Sequence, residues 1–179
     1  MTHAAIHLPD RRNAPLRVAH TLAALVTLSL LTCSSVHAAT SSTTFTVNAN
    51  VLAVCTLSAT NVNFGNYDAT SATPTDTTST ITALCTSGQA YTVALDAGIS
   101  AGATVAARKM TSGTNVLSYG LYTDSGHTTL WGDGTLSTTT VAGTGTGANQ
   151  ALTVYGRIPI GQHEAQGSYA DDITATLTY

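Results

Sequence analysis

The sequence predicts an all-β chain folded as an antiparallel sandwich or barrel, and three observations carry that expectation. Apolar and polar residues alternate over one short run after another. Gly, Asn, Asp and Ser clusters separate the runs. Beyond the N-terminal segment, no long window repeats apolar residues at helical spacing.

Taken in order, the chain opens with Arg11, Arg12 and Arg17 ahead of an apolar run from Val18 to Leu31, and Val36-His37-Ala38 supplies the small residues of a cleavage site. Residues 1–38 therefore read as a signal peptide. Cys33 is preceded by Thr32 where a lipoprotein signal has a smaller residue, which favours plain secretion over acylation. No later segment approaches the length and apolarity of a membrane-spanning helix, so the mature product is expected to be exported and not membrane-spanning.

Phe45, Val47, Ala49, Val51 and Ala53 form one face of an expected N-terminal strand. Ile81, Ala83 and Cys85 give one face of a second strand, and Tyr91, Val93 and Leu95 one face of a third. Leu117, Tyr119 and Leu121 continue the pattern, followed by Leu152, Val154 and Ile158. Val62–Phe64 and Thr128–Trp131 read as shorter strands. Tyr169–Tyr179 reads as a final strand, with Ile173, Ala175 and Leu177 alternating with threonines; its far side is expected to be an open edge that another polypeptide fills. Ser87-Gly88, Ser112-Gly113-Thr114-Asn115, Asp124-Ser125-Gly126 and Gly132-Asp133-Gly134 carry the turn chemistry. The low-complexity stretches Thr70–Thr80 and Thr135–Gly147 read as surface loops.

Removal of residues 1–38 leaves 179 − 38 = 141 residues, enough for one core. The remaining cations are Arg108, Lys109 and Arg157, against eight carboxylates, a formal charge of 3 − 8 = −5. That balance offers no basic stripe for nucleic acid or anionic lipid. Cys55 and Cys85 are the cysteines left after processing, an even count in an exported chain, and a disulfide between them is expected. Thr and Ser dominate the polar faces, which suits either a surface that packs on copies of itself or simple strand propensity.

Catalytic signals are sparse. His127 and His163 lie in turn-like contexts, match no metal-ligand spacing and are expected to be solvated. Gly98-Ile99-Ser100-Ala101-Gly102 matches a nucleophile elbow in letters only, because the helix it needs does not follow. Asp171 and Asp172, as strand neighbours, are expected to point to opposite faces and not to converge on a substrate. Gly143-Thr144-Gly145-Thr146-Gly147 lacks the lysine and helix of a phosphate loop. Trp131 is expected in the core or between sheets, although an exposed tryptophan could stack on a sugar. No enzyme activity and no cofactor are expected.

Asn63-Phe64-Gly65-Asn66-Tyr67, Cys85-Thr86-Ser87-Gly88-Gln89-Ala90-Tyr91, Leu130-Trp131-Gly132-Asp133-Gly134, Leu152 through Pro159, and Gly167 through Asp172 with Leu177-Thr178-Tyr179 occur in order along the mature chain. Together they resemble the spore coat protein U domain family, which includes subunits of archaic chaperone-usher pili of Gram-negative bacteria. The resemblance implies an incomplete immunoglobulin-like antiparallel β-sandwich that lacks its final strand. It further implies a subunit that a periplasmic chaperone delivers to an outer-membrane usher and that the N-terminal segment of the next copy, or of a related pilin, completes by donor-strand exchange. The destination is a surface pilus supporting adhesion or biofilm formation.

On that basis residues 39–54 hold the donor segment, merging into the first strand of a domain spanning 55–179. Phe45, Val47, Ala49 and Val51 are the inserting face, and burying Phe45, Val47 and Val51 is worth roughly 5 to 9 kcal/mol gross. Ile173, Ala175, Leu177 and Tyr179 are the acceptor groove, with the Tyr179 carboxylate as the chaperone's anchor. The length leaves no room for a second, receptor-binding domain, which favours a shaft or adaptor subunit. The alternatives are a monomeric adhesive or lectin-like module that uses Trp131 and the Thr/Gly loops, and a coat protein assembled without an usher.

Overall fold

The computed structural model describes residues 37–179, so the expected leader, except its last two residues, and Cys33 lie outside the described residues. The chain divides into two units at Val47–Asn48. Of the first, residues 37–47 are exposed and belong to no helix or strand. The second holds eight strands: β1 (Cys55–Ala59), β2 (Thr75–Cys85), β3 (Ala90–Leu95), β4 (Arg108–Ser112), β5 (Asn115–Tyr122), β6 (Val141–Thr144), β7 (Gln150–Ile158) and β8 (Ala175–Thr178). They form a five-stranded sheet in the order β1-β2-β7-β5-β4 and a three-stranded sheet in the order β6-β3-β8, with every pairing antiparallel.

Period-two patterning decides which side chains go inside. In β2, Ser79, Ile81, Ala83 and Cys85 are buried; in β3, Tyr91, Val93 and Leu95; in β5, Leu117, Tyr119 and Leu121; in β7, Val154 and Ile158. Trp131 joins the two sheets. It is 0% exposed, its indole N–H donates to the Val93 carbonyl at 3.0 Å, and its backbone N–H donates to Leu121 O. One side chain thus contributes a large buried surface while leaving no polar atom unsatisfied. Phe64 lies over Gly156, where a Cβ would stand 2.9 Å from the ring, and meets Tyr119 edge-on.

Cys55 and Cys85 are direct partners across the β1–β2 ladder and form the expected disulfide over a sequence separation of 30. By loop-closure entropy such a bridge stabilises by roughly 3 to 4 kcal/mol. Just ahead of it, Val54 N–H donates to Thr86 Oγ1 and Thr86 N–H donates to Val54 O, which fixes the point where the N-terminal segment leaves the domain.

Several expectations need correction. Residues 45–53 alternate like a strand but form none in this chain; the domain's own first strand starts at Cys55. Val62–Phe64 is not a strand either, although Thr77 Oγ1 reaches Asn63 O, and Thr128–Trp131 contributes isolated bridges. The threonine stretch read as a loop supplies the first half of β2 from Thr75, and the Gly/Thr stretch supplies β6. β4, led by Arg108 and Lys109, carried no apolar alternation to announce it. The final strand covers Ala175–Thr178 only, because Ala170 instead exchanges backbone bonds with Thr111 of β4.

Candidate interaction cleft

The two sheets are unequal in width, and an open cleft of about 400 Å³ remains beside β8. Core residues form its floor: Ile81 from β2, Leu95 from β3, Tyr119 and Leu121 from β5, and Val154 from β7. Ala59 to Val62 on one side and Tyr169 to Ile173 with Ala175 on the other form its walls. A second cleft of about 760 Å³, lined more by loop residues, shares Val62, Phe64, Met110 and Tyr169 with the first. β8 pairs with β3 along one edge and has no partner strand along the other among the described residues. A row of free backbone donors and acceptors therefore stands beside an apolar floor.

The wall between Ala170 and Ala175 crosses from the β4 side to the second sheet, and a carboxylate network fixes it. Asp171 accepts from Tyr119 OH at 2.8 Å, from the Ile99 amide at 2.9 Å and from Ser100 Oγ at 3.4 Å. Asp96 Oδ1 accepts from the Gly98 and Thr174 amides, each at 3.0 Å. Arg108, 1% exposed, lies behind them and donates from Nε to Asp96 O at 2.8 Å and from Nη2 to Leu95 O at 3.3 Å. Burial pushes the Asp96 pKa up, but the amide hydrogen bonds from Thr174 and Gly98, together with nearby Arg108, outweigh it and hold the carboxyl below its ordinary value. Desolvation and the Asp171 bond push the Tyr119 hydroxyl far up, so it acts as a permanent donor.

The structure treats the sequence-selected residues unequally. Ile173 and Ala175 line the cleft; Leu177 is half-buried against the core; Tyr179 is largely exposed. Phe45 is 85% exposed, Val47 and Val51 are similarly bare, and Ala49 is exposed too. Among the described residues no cluster of three His, Cys, Asp or Glu side chains could hold a metal ion, and no helix is long and apolar enough to cross a membrane.

With this geometry in view, the comparisons with known proteins decide the family. Residues 41–176 match the Spore Coat Protein U domain. The chain belongs to that family. It is 34% identical over 166 residues to Protein U of Myxococcus xanthus, covering 84% of this chain and 92% of the relative. In fold it is similar to a chain in the crystal structure of the CsuC-CsuE chaperone-tip adhesion subunit pre-assembly complex from the archaic chaperone-usher Csu pili of Acinetobacter baumannii. That similarity has a TM-score of 0.52 at 23% identity, and it covers 72% of this chain but 40% of the other.

Within this Spore Coat Protein U domain, one further sequence expectation fails. His127 is not solvated: its side chain is 6% exposed, seated edge-on to Tyr122 and near Tyr155, with Nε2 3.8 Å from Asp76 Oδ1. Trp131 is wholly buried, as expected, which removes the exposed sugar platform that the alternative lectin-like reading needed. Asp171 and Asp172 lie in the crossover and not in the strand, yet they diverge as expected: Asp171 is bonded into the network and Asp172 is exposed. The Asp96, Arg108 and Tyr119 network escaped sequence reading because its members stand far apart in sequence and belong to no motif. Arg108 alone left a trace, as a cation within a chain almost free of them.

Proposed function

We propose that this protein is an exported structural subunit of a surface pilus, polymerised by donor-strand exchange along a chaperone-usher route. The observation that carries the reading is a pair of complementary defects in one chain. The domain has a cleft with an apolar floor beside the unpaired edge of β8, and the N-terminal segment exposes Phe45, Val47 and Val51 in strand alternation without a sheet of its own. An extended segment from a neighbouring copy, or from a related pilin, satisfies both: main-chain groups pair with β8 while Phe45, Val47, Ala49 and Val51 descend onto Ile81, Leu121 and Val154. Ile173, Ala175 and Leu177 form the acceptor wall.

Until a donor arrives, the same edge needs a temporary occupant, which a periplasmic chaperone supplies, with the Tyr179 carboxylate as its anchor. An outer-membrane usher then exchanges chaperone for donor, and the fibre serves adhesion or biofilm formation. The domain acts through assembly and not through catalysis. Family membership and the similarity to a chain of a chaperone-subunit complex support this reading.

Expression of the full chain with its leader in a Gram-negative periplasm, alongside a variant lacking Thr40–Ala49, tests it. The expected result is a ladder of oligomers that survives mild detergent and is lost in the deletion variant. A soluble, cooperatively folding monomer with no chaperone and no self-association would falsify it.

A further inference from the structure

We propose that Leu52 and Val54 of one copy dock on Ile99 of the next, forming an apolar collar just outside the inserted strand. The inference rests on the strand-exchange reading and adds the surface on which successive domains meet.

The two ends of the domain differ. Cys55 pairs with Cys85, β3 begins close behind at Ala90, and Thr92 faces Thr178, so the disulfide, the start of β3 and the end of β8 share one pole. The N-terminal segment leaves from that pole, with Val54 hydrogen-bonded to Thr86 through both its amide and its carbonyl and Leu52 and Val54 exposed beside it. The far pole carries Leu95, the start of β8 at Ala175, and the loop Gly98–Ser100.

Ile99 lies one hydrogen bond from the cleft wall at this far pole. The residue is 75% exposed, yet its amide donates to Asp171, a cleft-lining residue. Gly98, at φ +81°, passes so close to that carboxylate that a Cβ there would overlap it. The apolar tip is therefore fixed in place and not a loose loop.

Insertion from the disulfide pole would bring like ends together. Two copies would then fill each other's clefts and assembly would stop at a closed dimer. Insertion from the far pole joins unlike ends and leaves one free donor and one free cleft, so the contact repeats without limit. A fibre requires the second polarity, with the donor antiparallel to β8. Val51 then lies at the Ile173 end of the cleft. At about 3.3 Å per residue, Leu52 to Val54 emerge within roughly 10 Å of it, beside Ile99.

The full chain carrying Leu52→Cys with Ile99→Cys, expressed with its leader in an oxidising periplasm, tests the seam, with each single variant as control. The expected result is a ladder covalently locked in the double variant only and collapsed by reductant. Ile99→Asp in the same system should shorten the detergent-resistant ladder while leaving the melting temperature of the unassembled domain unchanged. A detergent-resistant ladder that never cross-links overturns the seam and leaves strand exchange intact. A product that stops at the dimer overturns the polarity. Loss of all oligomers in the parent chain overturns both readings.

Discussion

Phe45–Val51 and Ile81–Cys85 carry nearly the same alternating pattern, and they meet opposite fates. The second is the buried face of β2, hydrogen-bonded on one side to β1 and on the other to β7. The first is bare, with Phe45, Val47 and Val51 exposed and no strand formed. Alternation therefore specifies a face that must be covered and not the sheet that covers it. The difference lies in what flanks each segment: β2 has a disulfide in register with its neighbour, whereas residues 45–51 precede the point where Val54 is tied down by Thr86.

The sharpest way to break the contrast is at the core. Trp131→Ala should cost about 3 to 5 kcal/mol in denaturant unfolding, because it empties a wholly buried site and leaves the Val93 carbonyl without its indole donor. Replacing both cysteines, Cys55→Ser with Cys85→Ser, should cost roughly 2 to 4 kcal/mol, read as a lower urea midpoint. Tyr119→Phe removes the hydroxyl donor to Asp171 and should cost about 1 to 3 kcal/mol, with faster amide exchange concentrated at Ile99.

Acid should act on the cleft wall and on the β2–β7 ladder. Asp96 is held below its ordinary value mainly by amide hydrogen bonds working against burial, and Asp76 by its two bonds from Arg157. Depressed folded-state values stabilise the fold above the unfolded carboxylate value near 3.9, and that stability is lost as pH falls from there through the folded values. Unfolding free energy measured against pH should therefore decline below about pH 4, and Asp96→Asn should flatten the decline.

The smallest effect on the domain belongs to the bare segment. Phe45→Ser with Val47→Ser should change the stability of the unassembled domain by no more than about 0.5 kcal/mol, since neither side chain is buried, while abolishing oligomers on a native gel.

The same contrast explains what was legible in the sequence. The inward faces of β2, β3, β5 and β7, the disulfide and the buried Trp131 followed from alternation, cysteine count and side-chain size. β4 and β6 did not, because Arg108-Lys109-Met110 and Val141-Ala142-Gly143-Thr144 have no clear apolar face and owe their strand form to their neighbours. His127 looked solvated because a turn sequence does not reveal that Tyr122 and Tyr155 close over it. Of the cleft, Ile173 and Ala175 were readable as a strand face. The network of Asp96, Arg108, Tyr119 and Asp171 exists only after the fold has brought its members together.

The most direct measurement pairs a chain lacking residues 40–51 with a synthetic peptide of residues 40–53. Strand acceptance predicts that the peptide raises the melting temperature saturably and slows amide exchange along Ala175–Thr178, and that a peptide with Phe45, Val47 and Val51 replaced by serine does neither. An unchanged melting temperature and unchanged exchange at β8, with the domain folded, would contradict it.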